Sequence, residues 1–392
     1  MISALHVRGP YKGRIGVNNL DLETVPPGAR SGLVRVKMHT RPRVKVSLGL
    51  PVYNGERFVK HAIQSVLDQT FTDFELIISD NASTDSTPGI CEEFARKDPR
   101  IRYIRQEINV GAKANFNRVF EYSRGDYFKW VAADDVCGPR YLELTVAQLD
   151  ADPTAVLAHT LSRTINGKGE IVTTQEMDAR VIFDEGFPVR LQPEDRQRRL
   201  DVPSPHSRFR EILISTHWCF EIFALIRRQA MLATYPKLDY YGSDKVMLAQ
   251  LSLLGRFIEV QELQFFRRAH HGNSTNMTVI DRENWSRPPK TKWKLPTQFP
   301  CFVGYTKAAL TMPAKVSDRI RCLRVIVYFA AQSDRYYGIA AELLTLVRGR
   351  TAKPARSRYL APVELGSLER GMCETDCDEI ESSYAPASHE CR

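Results

Sequence analysis

Residues 44–54 read VKVSLGLPVYN and residues 74–85 read FELIISDNASTD. Each is a short run of aliphatic and β-branched residues that stops on a cluster of turn-forming polar side chains, the pattern of a buried strand ending at a loop. Between them, Glu56–Gln69 opens after the Asn54-Gly55 turn and carries a helical period. The alternation continues outward, predicting a helix over 86–97, a strand over 101–104, a helix over 112–123 and a strand over 127–131. Ser86-Thr87-Pro88 supplies a cap and a first-turn proline for the second of these helices. Strands separated by helices of this length need crossover connections. The predicted class is therefore α/β, a mostly parallel sheet with helices on both faces, and ligands of such sheets bind at the C-terminal strand ends.

Away from this core the pattern changes. Residues 1–43 hold two acidic residues among many Lys and Arg, the composition of an extension outside the main fold. From about 160 to 207 an Asn-Gly pair, several prolines and the run Asp195–Arg199 predict a long, mobile insertion of the kind that covers active sites. Regular patterning returns at Phe209–Phe223, with a helix over Asp244–Leu254 and strands near Phe257–Phe266. Val316–Leu346 reads as basic amphipathic helices, and Pro362–Arg392 is an acidic tail of net charge −6.

The whole chain carries +9, so the remainder is at +15. Such a body suits anionic partners: nucleic acid, nucleoside diphosphates, lipid-linked phosphates or an anionic membrane face. The eight cysteines form no CxxC pair, and Cys373 and Cys377 lack a second pair to complete a tetrahedral site, so reduced thiols are expected. The start of the chain has no apolar signal-peptide core, and the longest apolar run, Val325–Ala331, is too short to span a bilayer. These features predict a cytoplasmic protein.

Three polar groups fall at strand ends: Pro51-Val52-Tyr53-Asn54, Asp80–Asp85 and Asp134-Asp135. Asp80 can accept a hydrogen bond from a base ring N–H while Tyr53 offers a stacking face; alternatively, Asp80 makes an Asx-turn ahead of the next helix. The adjacent carboxylates of Asp134 and Asp135 repel each other unless a cation or hydrogen bonds compensate, and a divalent ion shared with a diphosphate would do so. A helix cap before Pro139 is the competing account.

The set PVYN, SDNASTD, Asn109-Val110-Gly111 and Ala132-Ala133-Asp134-Asp135 resembles the family 2 inverting glycosyltransferases, which have the GT-A fold. The likeness is strong over Val44–Leu161 and weaker to about Ser274. It implies a glycosyltransferase domain over 44–275 with donor half 44–160 and acceptor half 161–275; outside the likeness, composition gives a basic extension over 1–43, a basic helical region over 276–360 and an acidic disordered tail over 361–392. The likeness further implies that Pro51, Tyr53, Asn54 and Asp80 hold the nucleoside, and that Asn109, Gly111 and Lys113 approach the ribose and diphosphate.

The family's metal motif, Asp-x-Asp-Asp, is met here by Ala132 at its first position, so Asp134 matches the metal-binding carboxylate and Asp135 its donor-side neighbour. The resemblance implies Mn2+ or Mg2+ as the metal, with His270 as a further ligand and Arg267 or Arg268 on the phosphates. Asp244, opening a helix after Tyr241-Gly242-Ser243, matches the catalytic base; Glu221 is its rival, or an acceptor-binding residue. The implied reaction transfers a sugar from a nucleoside-diphosphate-sugar, a UDP-sugar foremost, to a hydroxyl of a saccharide or lipid-linked saccharide, with inversion, in polysaccharide or glycolipid synthesis at the inner face of the cell membrane.

A rival of another class is a non-catalytic nucleotide sensor or a basic module bound to membrane or nucleic acid, since Tyr328, Phe329, Tyr336 and Tyr337 lie among arginines. Such a stripe is more often the buried face of a helix, and no nucleic acid is expected.

Overall fold

The computed structural model describes residues 43–191, 200–215, 219–234, 242–274 and 298–331, together with 240, 276, 277 and 285. All seven residues of β1 (Val46–Val52) are buried, as its unbroken aliphatic run requires of a strand covered on both faces. It pairs in parallel with β2 (Phe74–Asp80) and β4 (Tyr127–Trp130), and β2 pairs in parallel with β3 (Ile101–Arg105). Helices α1 (Val59–Leu67), α2 (Thr87–Lys97) and α3 (Ala112–Glu121) make the crossovers. Side chains alternate between two cores: Ile77 packs with Val119 and Phe120 of α3, while Leu76 and Ile78 pack with Val59, Ala62 and Ile63 of α1.

The chain continues through β5 (Val136–Cys137), α4 (Tyr141–Ala151), β6 (Ala155–Ile165), α5 (Thr174–Ala179), β7 (Val181–Asp184), β8 (Phe187–Arg190) and α6 (Pro205–Arg210). It then forms β9 (Leu225–Arg227), α7 (Arg228–Ala233), α8 (Ser243–Leu254), β10 (Arg256–Arg268), α9 (Gln298–Thr311) and α10 (Val316–Ala331). The eight-stranded sheet runs β3-β2-β1-β4-β9-β6-β10-β5. Short β9 is antiparallel to both its neighbours and β5 is antiparallel to β10, while the other pairings are parallel. The expected α/β class and mostly parallel sheet are thus observed.

The long mobile insertion expected over 160–207 is corrected. Residues 160–165 complete β6, deep in the sheet, and are followed by α5, whose Thr173–Glu176 capping box is complete, and by the β7–β8 hairpin. The polarity that reads as loop belongs to side chains of β6 that face cavities: Thr160, Ser162, Arg163 and Thr164. Glu185 and Gly186 turn the hairpin with φ of 52° and 83°, the left-handed pair that matches strand twist. The run 195–199 lies outside the described residues.

Helices α9 and α10 share the α3-side core: Tyr305 and Phe329 meet edge to face with centroids 5.4 Å apart, among Phe209, Ile212 and Met247. Phe329 is therefore a core residue, where the rival reading placed it on a stacking face. Among the described residues no helix is long and apolar enough to cross a membrane. The N-terminal extension, the basic stretch after 331 with Tyr336 and Tyr337, and the acidic tail lie outside the described residues.

Gly125 lies against β1, where an added Cβ would fall 2.6 Å from the Ser47 nitrogen and 2.8 Å from the Val46 carbonyl carbon. Neither contact is a flexible side-chain end. Gly125→Ala is expected to cost about 1–3 kcal/mol in urea unfolding; an unchanged midpoint would show that the turn can back away.

Candidate active site

Two loops at the tips of β1 and β2 are laced together. The Asn54 nitrogen donates to Ser83 Oγ at 2.9 Å and Asn54 Oδ1 accepts from the Thr84 nitrogen at 2.9 Å. Gly55 N–H donates to Thr87 Oγ1 at 2.8 Å. Asp80 is wholly buried behind this lacing: Oδ1 accepts from Ser83 N–H at 2.9 Å and Oδ2 from the Tyr103 hydroxyl at 2.8 Å. Burial, and then Asp80, raise the Tyr103 phenol well above its usual range, so this proton stays on tyrosine. Asp80 thus fastens its own loop, the Asx-type alternative, and does not line the cavity described below.

A second lacing joins that loop to the start of α3. Asn81 Oδ1 accepts from Val110 N–H at 2.8 Å, Asn81 Nδ2 donates to Asn109 Oδ1 at 2.9 Å, and Asn109 Oδ1 also accepts from Gly111 N–H at 2.8 Å. Gly111 has φ of 84°, a conformation open to glycine and strained for other residues. Lys113, one residue into the helix, is half-buried.

At the tip of β4, Asp134 Oδ2 lies 3.0 Å from His270 Nε2 and accepts from Asn273 Nδ2 at 3.0 Å. Asp135 Oδ1 accepts from the Arg268 nitrogen at 2.9 Å. Burial first, and the charge of Asp134 second, push the Asp135 carboxyl up. The guanidinium of Arg268 is committed to main chain, donating to the carbonyls of Asp134 at 2.9 Å, Asn166 at 3.1 Å and Gly167 at 3.3 Å. It is a strut for the acidic tip. Arg267 instead lies over the Phe220 ring, 3.7 Å from its centroid.

These tips surround a cavity of about 570 Å3. Pro51, Tyr53, Asn54 and Asn109 line it together with Asp134, Asp135, Arg267, Arg268 and His270, so most of the residues singled out by sequence meet here. Asp80, Gly111 and Lys113 stand outside the lining. Glu221 lines a neighbouring cavity of about 930 Å3. Asp244 lines neither; it sits in the first turn of α8, near the Tyr305 phenol, whose pKa is raised by burial first and then by Cys301, Cys219 and Asp244.

Sequence reasoning missed Arg57 and His271, which also line the first cavity. Arg57 grips Asp184 with two hydrogen bonds, of 2.7 and 2.8 Å, and His271 reaches the same carboxylate through its main-chain nitrogen at 3.1 Å and Nδ1 at 2.8 Å. Asp184 belongs to the β7–β8 hairpin, 127 residues from Arg57. The one local signal was the Asp184-Glu185-Gly186 turn.

A parallel α/β sheet whose strand tips converge on paired carboxylates, an imidazole and buried arginines defines a protein that receives a small polar ligand at its C-terminal strand ends. Residues 47–232 match the model of glycosyl transferase family 2, and the chain carries a family 2 glycosyltransferase domain. The mostly parallel α/β arrangement expected from the strand-tip motifs is the one observed. Chondroitin synthase of Escherichia coli is 31% identical over 140 residues, 36% of this chain and 20% of that one. Chondroitin synthase of Pasteurella multocida (strain Pm70) is 24% identical over 238 residues, 61% of this chain and 22% of that one. The matched region therefore spans about a fifth of the length of these two relatives. Among solved structures, the mannosyltransferase PcManGT from Pyrobaculum calidifontis, in complex with GDP-Man and Mn2+, is similar over 80% of this chain and 77% of its own, at 15% identity and a TM-score of 0.44.

The hydrogen bonds from Arg57 hold the Asp184 carboxyl well below the usual carboxylate range. A depressed folded-state pKa adds stability that is complete above the unfolded value, near pH 4, and is lost on acidification. Asp184→Asn should cost about 1–3 kcal/mol at pH 7. In chemical denaturation its gap from the wild type should shrink from about pH 4 downward; a gap that is constant with pH would remove the ion pair from the account.

Proposed function

We propose that this protein transfers a sugar from a nucleoside-diphosphate-sugar, a UDP-sugar foremost, to a hydroxyl of a saccharide or lipid-linked saccharide with inversion, in polysaccharide or glycolipid synthesis. The observation that carries the reading is one cavity lined by Tyr53 and Asn54 together with Asp134, His270 and Arg267, groups suited to a base and a diphosphate. Tyr53, 43% exposed, is free to stack on a base.

The donor set fits a divalent ion. Asp134 and His270, hydrogen-bonded to each other at 3.0 Å, would be the side chains to hold it. Among the described residues no third acidic, histidine or cysteine side chain completes a cluster; a carboxylate and an imidazole together with water and phosphate oxygens would suit Mg2+ or Mn2+. When bound, such an ion neutralises charge building on the departing diphosphate.

The chain's own residues do the rest. Arg268 and Asn273 fix the Asp134 tip, and Arg267 presents fixed positive charge where the leaving group develops its own. The acceptor oxygen bonds to the anomeric carbon as the bond from that carbon to the diphosphate oxygen breaks, and the hydroxyl proton passes to a carboxylate. Glu221 and Asp244 are the two contenders: Glu221 lines a cavity adjoining the donor cavity, and Asp244 stands in the first turn of α8.

We further propose a peripheral membrane contact. The face of α10 opposite its buried stripe exposes Ile320, Val327 and Tyr328 beside Arg321 and Arg324, an amphipathic pairing suited to anionic lipid headgroups.

A thermal-shift panel of UDP, GDP and dTDP, each with and without Mn2+, should give a metal-dependent rise for one nucleotide; silence from all three defeats the proposal. Asp134→Ala should lower turnover on the order of 10³-fold with the fold intact, and the base is whichever of Asp244→Asn and Glu221→Gln loses turnover but keeps donor binding. In flotation with anionic and neutral vesicles, only the anionic set should carry the protein, and Ile320→Asp with Val327→Asp should release it.

A further inference from the structure

The larger cavity beside the donor site remains to be assigned, and its geometry points to a ligand. It lies along β6 and β10, where their pairing slips. Val260 is opposite Thr160 and Phe265 is opposite Ser162, so five steps along β10 match two along β6. Surplus residues of this kind bend a strand and re-aim its side chains, and they recur beside functional sites. Glu259, just before the slip, and Gln261, within it, line the cavity together with His159, Ser162 and Arg163.

We propose that this cavity seats the acceptor and that it takes a neutral saccharide; the assignment rests on the first cavity being the donor site. At about 930 Å3 it has the size of a small-molecule site and room for more than one ring. Its wall combines the half-buried rings of Phe220 and Phe223 with amide, hydroxyl and imidazole groups. A sugar ring presents an apolar face together with a dense rim of hydroxyls, and needs both kinds of surface. A lipid chain would leave the polar groups without partners.

The charges decide between acceptor classes. Asp201, Glu221 and Glu259 stand against Arg163 and Arg267. An anionic acceptor, whether uronate or phosphate, would meet more like charge than opposite charge.

Contiguity supplies the link to transfer. Phe220, Phe223 and Arg267 line both cavities, and the stacked pair of Arg267 over Phe220 is the partition between them. A hydroxyl held at that edge has Glu221 on its own side and the donor on the other.

The experiment is saturation-transfer NMR on the full chain loaded with UDP and Mn2+, using methyl glycosides of glucose, galactose, mannose and N-acetylglucosamine, with methyl glucuronide as the anionic arm. At least one neutral glycoside should bind. Its signal should fall about fivefold or more in Ser162→Trp, which fills the cavity, and in Glu259→Gln and Arg163→Ala, while the thermal shift given by UDP stays as in the wild type. Binding that survives all three substitutions, no neutral glycoside bound by the wild type, or tightest binding of the glucuronide would each overturn the assignment. If Ser162→Trp does not fold, the two milder variants decide. Failure of the donor reading shows separately, as the absence of any nucleotide-dependent shift in the wild type.

Discussion

Two carboxylates on consecutive residues at the rim of a cavity repel each other, and the site is arranged around opposing that repulsion. Asp134 is met by the His270 ring and the Asn273 amide, and Asp135 by the main-chain nitrogen of Arg268. The wholly buried Lys129 stands behind them, its ammonium held by the Phe223 carbonyl and lying over the rings of Tyr141 and Phe265. Burial pulls the Lys129 pKa down while Cys137 and Asp135 oppose that pull. Since Phe223 borders both cavities, one buried cation ties the acidic tip to the wall on the acceptor side.

Much of this was legible in the sequence because strand tips are local. The run from Val46 to Asp80 alternates strand and helix within a few dozen residues, and the polar clusters that end the strands announce themselves as turns. The acidic pair was legible for the same reason. Less legible was the division of labour among like residues. Arg267 and Arg268 are neighbours of identical chemistry, yet one stacks on Phe220 and the other braces three main-chain carbonyls. Only tertiary contacts separate them.

Asp80 shows the same limit from the other side. Its position after β2 suits base recognition and loop fastening equally, and the Tyr103 hydroxyl, which arrives from β3, tips the side chain inward. The β7–β8 hairpin was hidden for a different reason. Its strands have four residues each, too short for a pattern, and its ion pair is with Arg57, 127 residues earlier in the chain.

The three-residue strand β9 has a consequence for how the molecule is made. It lies between β4 and β6, so the middle of the sheet is filled by residues synthesised about seventy positions after its neighbour β6 begins. Until Leu225–Arg227 leave the ribosome, the facing edges of β4 and β6 have bare amides and carbonyls, a template for association between chains. A nascent chain stopped near residue 160 thus lacks the strand that joins β4 to β6, and closure of the sheet awaits its C-terminal half.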